Sequence, residues 1–213
     1  MNQHQSEALT LRTYPYAESH KIVVFLTRSF GKLRGIAHGA KKPKSPFGAS
    51  LETLTRVQVT FRRKEHQELA VIQNCDVIQV CPAYELSWEG NVHLGYFAEL
   101  LQEFSREQEE SENLFRLAVA MLDVIGQTRI EVLARYFEFW LLRLEGVLPR
   151  FEEKLPPELA LKAVEMLKHH PSGLGSVTLT ETELKRLASL SWKLIEYHLE
   201  KTPRSWKLLR GLV

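Results

Sequence analysis

The hydrophobic repeat of this chain changes period once, close to Pro82, and this change constrains the fold more than any other feature. Before Pro82, apolar and polar residues alternate, as they do across 57–61. After it, apolar residues recur every three or four positions, as across 114–125. A period of two is typical of half-buried strands and a period of 3.6 of helices. The sequence therefore predicts a β domain over 1–82 and an α domain over 83–213.

About five short strands are predicted in the β domain. Phe30, Gly31 and Lys32 make a hairpin turn in which glycine is free to take a positive φ. Residues 39–50 contain two prolines and form a long basic loop. Five strands with one long connection favour a small closed barrel of the OB-fold type. Together with the α domain that follows, this barrel makes the fold class α+β. The strands are Ala8–Leu11, Ile22–Leu26, Leu33–Ala37, Val57–Phe61, and Leu69–Ile72 with Val77–Ile78.

The α domain is predicted to be an all-α helical bundle. The helix over 130–144 is apolar on more than one side, which places it at the centre of the bundle. Thr180 and Glu183 have the spacing of a capping box. Thr202 and Pro203 have the character of an N-cap and a first helical residue for a short last helix.

Membrane insertion and export are not expected. Apolar runs such as Ile22–Leu26 are far below the roughly 18 residues that span a bilayer. The first residues lack a basic stretch followed by an apolar one, so we expect a cytoplasmic protein. Cys75 and Cys81 are too few for a disulfide scaffold and are expected to be buried thiols.

The net charge of +2 conceals a segregation along the chain. Residues 1–82 carry a net charge of +6, residues 83–170 of −7 and residues 171–213 of +3. A basic first third joined to an acidic middle indicates two surfaces with different roles. The alternative is that neighbouring parts of ordinary cytosolic domains differ this much by chance.

The basic residues of the β domain point to nucleic acid. Two dense clusters, 41–44 and 62–64, fall on a loop and at a strand end, where both can reach a phosphate backbone. Tyr14, Tyr16, Phe30 and Phe47 are candidates for base stacking. The alternative is that the lysines only keep the surface solvated and the strand edges unpaired. The candidate DNA contacts here are Arg12, Lys21, Arg28, Lys32, Arg34, Lys41, Lys42, Lys44, Arg62, Arg63 and Lys64.

Catalytic and metal-binding patterns are weak. Ser29 and Lys32 match S-x-x-K but occupy a turn, whereas that pair needs a helix. The phosphate-binding loop and the dinucleotide fingerprint are both missing from the sequence. His169 and His170 point about 100° apart on a helix, which favours a helix end over a metal site. The glutamates of 103–112 are predicted to form a solvated helix end and loop.

Five stretches of the chain resemble the bacterial RecO recombination mediators. Three lie in the β domain and one in the central helix, which ends in Leu-x-Gly; the fifth lies near the C-terminus. They are Leu11–Ser19, Leu26–Ala40, Lys44–Leu51, Ala134–Gly146, and Tyr197–Leu199 through Arg204–Lys207.

This resemblance implies an N-terminal OB-fold, a C-terminal helical domain and a non-catalytic role. It implies binding of single- and double-stranded DNA, annealing of complementary strands, and work with RecR to load RecA onto strands coated by single-stranded DNA-binding protein. Many RecO proteins carry a four-cysteine zinc module after the central helix, but 149–179 contains no cysteine. We therefore expect neither zinc nor any other cofactor in this chain.

The helical domain is predicted to contribute two further surfaces. A C-terminal cluster that includes Arg204, Lys207 and Arg210 extends the DNA path, unless it only complements a helix dipole. The acidic, hydrophobic tail of the single-stranded DNA-binding protein is expected on an arginine beside an apolar groove. Arg135 has the alternative role of an internal ion pair. The candidates for the tail are Arg129, Arg135, Arg143 and the aromatics Tyr136 and Phe139, placed on the exposed side of their helix.

The second functional class is an assembly subunit that docks a protein partner without affinity for DNA. A hydrolase or nuclease is a distant third, because no cluster of metal-binding carboxylates is visible in the sequence. Charge reversal at Lys41, Lys42 and Lys44 separates the first two classes.

Overall fold

The computed structural model describes residues 2–64 and 67–211. The chain divides into two compact units. The first is Met1–Cys81 with Ala98–Arg116, and the second is Pro82–Phe97 with Leu117–Val213. The division predicted at residue 82 falls where the strands end, and the first unit takes in the 98–116 segment as well.

The first unit is built on a closed barrel of five strands in the order β1-β2-β3-β5-β4. Only β3 and β5 are parallel; the other neighbours pair antiparallel. This is the OB-fold that the sequence predicts. The strands are β1 (Asn2–Tyr16), β2 (His20–Thr27), β3 (Gly31–Ala37), β4 (Arg56–Arg63) and β5 (Ala70–Gln79).

The barrel interior is filled by aliphatic and aromatic side chains from all five strands. Val23 and Phe25 of β2 lie opposite Gly35 and Leu33 of β3, and inward and outward positions alternate along both strands. Phe47 and Leu51, from the long connection between β3 and β4, are also buried in this core. The connection contains a short 3-10 turn and no strand, as predicted.

Two strands are longer than their apolar patterns predict. β1 starts at Asn2 because its polar first half pairs with β4. β5 is continuous from Ala70 to Gln79, although Asn74 and Asp76 interrupt its apolar pattern. Backbone pairing overrides side-chain pattern in both strands.

The second unit contains helices, and a central one is surrounded as predicted. Every residue from Val132 to Phe139 in α3 is buried. Helices α1 and α4 are not predicted by the apolar pattern, because glycines or small residues weaken their apolar stripe. Helices α1 and α2 also contribute residues to the first unit. The helices are α1 (Trp88–Phe104), α2 (Glu112–Leu122), α3 (Ile130–Leu144), α4 (Pro157–Met166), α5 (Glu181–Leu199) and α6 (Trp206–Leu209).

The helix ends give one confirmation and one correction. Thr180 and Glu183 form the predicted capping box at the start of α5. The last helix starts at Trp206, so the predicted start at Thr202 and Pro203 is wrong. The Thr202 hydroxyl donates instead to the Glu196 carboxylate. Among the residues described, no helix is long and apolar enough to cross a membrane.

Candidate nucleic-acid interface

A β-bulge at Leu11 determines which β1 side chains face outward. Thr10 lies opposite Phe25, but Arg12 lies opposite Val24, so β1 has one extra residue between these pairs. Ala8 and Thr10 therefore face the interior, while Arg12 and Tyr14, which also have even numbers, face the outside. The bulge brings a cation and an aromatic ring to the outer surface.

Two rows of outward residues cross the barrel. Residues opposite each other on paired strands share a face. The Arg12 row runs from Arg12 through Val24 to Arg34. The Tyr14 row consists of Tyr14, Ile22, Ile36, Val71 and Arg62.

The Tyr14 row is a half-buried apolar strip with a cation at each side. Ile22, Ile36 and Val71 are partly exposed, and Arg62 is exposed at one end of the row. At the other end the Arg12 guanidinium lies 4.7 Å from the centre of the Tyr14 ring. Apolar and aromatic surface flanked by arginines is what a single strand needs for its bases and phosphates.

A pocket of about 470 Å³ opens on this face. The residues that line it are Tyr14, Ile22, Val24, Lys32, Arg34, Gln102 and Glu107. All seven belong to the first unit.

Lysines gather at the turn between β1 and β2. The Lys41 backbone N–H donates to the Ser19 carbonyl at 3.1 Å, and Lys41 Nζ donates to the Ala17 carbonyl at 3.0 Å. These bonds hold the basic loop against the turn, and Lys42 and Lys44 are exposed on that loop. Lys21, in the second position of β2, is half-buried.

Two of the predicted DNA contacts, Arg28 and Lys32, already form hydrogen bonds within the first unit. Arg28 donates to Glu112 at 2.7 Å and lies 3.8 Å from Glu7. The hydrogen bond with Glu112 raises the pKa of Arg28 and lowers the pKa of Glu112. Lys32 Nζ donates to the Gln102 carbonyl at 2.9 Å. The acidic segment after α1 is therefore more than the solvated loop that the sequence suggested, because Glu112 partly neutralises Arg28.

The second dense cluster lies at the opposite end of β1 from the lysine turn. Arg62 and Arg63 pair with Gln3 and Asn2 at the start of β1. Arg62 belongs to the Tyr14 row, Arg63 is half-buried and Lys64 is exposed. The structure thus separates the two dense clusters, and only Arg62 of this one is placed in a row with the outward residues of β1.

The four stacking candidates differ in access. Tyr14 lines the pocket and Tyr16 is 45% exposed. Phe47 is buried in the barrel core, and Phe30 packs against that core. Phe47 is therefore excluded as a stacking platform, because its ring completes the core beneath the loop that carries it.

Burial contradicts the exposure predicted for the aromatics of the helical domain. Tyr136 is 4% exposed and Phe139 is fully buried. Arg135 is 4% exposed and pairs with Glu138 at 2.7 Å, so its alternative role as an internal ion pair is confirmed. The off-stripe position of the two aromatics reflects a helix enclosed on all sides, not a surface groove.

The other two arginines predicted to bind the partner are at the surface. Arg129 contacts the carboxylates of Glu131 and Glu181. Arg143 is exposed, with its guanidinium 4.8 Å from the centre of the Trp140 ring. Near the C-terminus, Arg204, Lys207 and Arg210 are exposed, and Arg210 lies 5.9 Å from the ring centre of Trp206.

Sequence reasoning missed a buried polar cluster in the second unit. The fully buried Glu138 carboxylate accepts hydrogen bonds from Tyr96 at 2.6 Å, Arg135 at 2.7 Å, Ser191 at 2.6 Å and Trp192 at 3.0 Å. Burial, reinforced by this carboxylate, raises the pKa of Tyr96. The sequence feature that could have indicated this cluster is the pair of Arg135 and Glu138, three positions apart in an otherwise apolar helix.

Both cysteines are buried thiols, as expected. Burial raises the pKa of Cys75 to about 12, so this thiol is unreactive at neutral pH. Within 2–64 and 67–211, no group of three or more His, Cys, Asp or Glu side chains has an arrangement that could hold a metal ion.

The barrel and its outward rows place this chain in the class of OB-fold proteins with an added helical unit. Comparison with known proteins narrows the class. The family model described as "Recombination protein O N terminal" matches residues 1–81, and "Recombination protein O C terminal" matches residues 86–156. The chain belongs to the RecO family.

Similar proteins carry the same family name. The chain is 37% identical over 145 residues to the DNA repair protein RecO of Koribacter versatilis, covering 68% of this chain and 59% of that protein. It is 36% identical over 151 residues to the DNA repair protein RecO of Syntrophus aciditrophicus, covering 70% and 58%. The chain therefore spans less than two thirds of these relatives. The family models leave residues after 156 unmatched, so the likeness of Tyr197–Lys207 to the family stays a prediction.

Proposed function

We propose that this chain is a non-catalytic DNA repair and recombination protein that binds single- and double-stranded DNA and anneals complementary strands. With RecR, it helps to load RecA onto strands coated by single-stranded DNA-binding protein. The observation that carries the proposal is the outer face of the barrel, where an apolar strip lies between Arg12, Arg34 and Arg62. The setting we propose is the cytoplasm, at the nucleoid.

The Tyr14 row would receive bases and the surrounding cations would receive phosphates. Stacking on an aromatic ring and apolar contact are tolerant of sequence. Arg12 and Arg34, at the two ends of the Arg12 row, would neutralise consecutive phosphates. The lysine turn would extend this path at one end and Arg62 at the other.

Annealing follows from charge neutralisation and needs no bond-making residue. Two strands on one basic surface repel each other less, so base pairing can nucleate without nucleotide hydrolysis. Duplex DNA would bind the same cations through its phosphates alone. The exposed cluster of Arg204, Lys207 and Arg210 is proposed as a further phosphate contact.

The helical unit is proposed to dock the protein partners. Of the five residues predicted to bind the tail of the single-stranded DNA-binding protein, Arg143 is the one that is exposed beside a partly exposed ring, Trp140. A guanidinium stacked on an indole can bind a carboxylate while the ring packs on an apolar side chain. This part of the proposal therefore centres on Arg143.

The test measures fluorescence anisotropy of a labelled single-stranded oligonucleotide over a series of salt concentrations. We expect Arg12→Ala/Arg34→Ala to weaken binding about tenfold and to lower the log–log salt slope by about 1.4, since each phosphate contact on a single strand contributes about 0.7. The control, Lys185→Ala/Arg186→Ala, removes the same charge from exposed positions of α5. Equal effects of the two double variants would refute a specific role for the barrel face.

Charge reversal at Lys41, Lys42 and Lys44 separates the mediator from the assembly subunit. A mediator variant would lose DNA affinity and keep its circular-dichroism spectrum. An assembly subunit would show no DNA affinity in the wild type at low salt, and the reversal would leave its protein partner bound.

A further inference from the structure

The pocket on the barrel face has two polar residues that phosphate binding does not use. Gln102, near the end of α1, and Glu107, in the segment that follows, line the pocket together with the residues of the strands. A carboxylate on a path for a polyanion costs affinity through repulsion. Its presence among Lys32 and Arg34 therefore calls for a ligand group other than phosphate.

The segment that carries Glu107 is fixed to the barrel. The Lys32 backbone N–H donates to the Arg106 carbonyl at 2.9 Å, and Glu107 forms backbone bridges with Gly31 and Lys32. Gly31 allows this approach, because a Cβ there would lie 2.0 Å from the Glu109 carbonyl oxygen. The wall of the pocket is thus preorganised.

Glu107 differs from its acidic neighbours in how its carboxylate is used. Glu109 pairs with Arg106 at 3.4 Å, and Glu112 pairs with Arg28 at 2.7 Å. Across the described part of the chain, the Glu107 carboxylate makes neither an ion pair nor a hydrogen bond. An ionised carboxylate only accepts hydrogen bonds, so its complement is a donor group on the ligand.

We infer that this pocket holds one nucleobase and that Glu107 selects bases with an exocyclic amino group, an inference that rests on the proposed function. The base lies on Ile22, the partly exposed one of the two aliphatic residues, against the Tyr14 ring, with its amino group donating to Glu107. Cytosine N4 donates to carboxylates in this way, whereas thymine presents a carbonyl oxygen at the same position. Arg34 binds the adjoining phosphate. The strand therefore lies with its bases toward the 102–107 segment.

The experiment compares oligo-dC with oligo-dT of equal length at pH 7.5, because the two bases match in size. The readout is the Kd for oligo-dT divided by the Kd for oligo-dC. We expect Glu107→Ala to lower this ratio by about tenfold or more, the value of one hydrogen bond to a charged group. The control, Glu110→Ala, removes the same charge from an exposed position of the same segment that does not line the pocket.

Each outcome is decisive. A ratio that falls in Glu107→Ala and stays at the wild-type value in Glu110→Ala supports base selection by Glu107. An equal ratio in both variants, with tighter binding of both oligonucleotides, overturns it and leaves a general charge effect. Failure of the wild type to bind either oligonucleotide at low salt overturns the proposed function itself.

Discussion

Glu138 shows how one residue can organise a whole unit. Its carboxylate joins α1, α3 and α5 through hydrogen bonds to Tyr96, Arg135 and Ser191. Buried charges are tolerated when they are paired and hydrogen-bonded; the Glu138 carboxylate meets this condition, although the buried Arg135 Nε has no hydrogen-bond partner. The cluster therefore joins these three helices through one carboxylate within the second unit.

Glu138→Ala is expected to lower the unfolding free energy by about 3–5 kcal/mol, because it leaves the Arg135 charge buried without a partner. The measurement is denaturant unfolding followed by tryptophan fluorescence. All four tryptophans of the chain lie in the second unit, so the signal reports on that unit.

Glu165→Ala is the control for this prediction. It removes exposed contacts of the carboxylate with Lys168, at 3.0 Å, and with His169, at 3.5 Å. Such pairs contribute between zero and about 1 kcal/mol. Similar losses in the two variants would contradict the role given to Glu138.

At the scale of single residues, the sequence identified candidate residues but not the partners that surround them in the fold. Arg12 and Arg34 could be named as candidates, but nothing in the sequence distinguished them from Arg28. The partner of Arg28 is Glu112, 84 positions away, and such pairing depends on the tertiary fold. Tyr136 and Phe139 were misplaced because a helix that is apolar all round has the same pattern as one with an exposed aromatic side.

At the scale of elements, the stability contributed by the capping box at the start of α5 depends on pH. Glu183 accepts from Lys162 Nζ at 2.7 Å and from the Thr180 backbone at 2.8 Å. The Lys162 hydrogen bond and then the Thr180 one lower the pKa of Glu183 from 4.5 to about 2. Because the folded pKa is the lower one, the contribution is present above pH 4.5 and is lost as the pH falls toward 2.

Glu183→Gln is therefore expected to reduce stability at neutral pH and to have little effect near pH 2. The measurement is the difference in unfolding free energy from the wild type across this range, again by tryptophan fluorescence. Glu152→Gln changes an exposed carboxylate outside the capping box and serves as the control. A pH-independent difference for Glu183→Gln would refute the linkage.

The turn between β2 and β3 gives a second prediction at this scale. Gly31 has φ of +62° and Gly39 has φ of +72°, so alanine is strained at both. At Gly39 the nearest atom to an added Cβ is 3.7 Å away, whereas at Gly31 it is the Glu109 carbonyl oxygen.

Gly31→Ala should therefore cost the strain found in Gly39→Ala, about 1–2 kcal/mol, and in addition displace the segment that carries Glu107. Limited proteolysis checks the displacement, with faster cleavage between residues 105 and 111 in Gly31→Ala alone. Equal cleavage in both variants would show that the segment does not depend on the close approach.

The elements themselves were largely predictable. The alternation of apolar and polar residues identified β4. The positive φ expected at Gly31 is observed, in the hairpin between β2 and β3. β1 and β5 were cut short because strand pairing, and not apolar pattern, sets their length. Helices α1 and α4 escaped detection because glycine or alanine occupies positions where larger apolar residues would have given a clear stripe.

At the scale of the whole molecule, charge is divided among surfaces. The basic first third supplies the barrel face, and the acidic middle supplies Glu107 and Glu112 to that same first unit. Counting charges along the chain could therefore predict a basic and an acidic region. It could not predict that one compact unit combines residues of both regions. The order of elements and the OB-fold followed from periodicity. The pocket did not, because it joins β1, β2 and β3 to residues 68 to 93 positions further on.

The bulge at Leu11 makes the barrel face sensitive to length and not only to side-chain identity. Any residue that tolerates the bulge would keep Arg12 and Tyr14 outside. Loss of Leu11 would restore the uninterrupted two-residue repeat and leave Arg12 opposite Val24 and Tyr14 opposite Ile22, so both side chains would stay outside. A one-codon deletion of Thr13, beyond the bulge, would instead place Tyr14 opposite Val23 and turn its ring into the barrel, a lesion that no single substitution at position 13 reproduces.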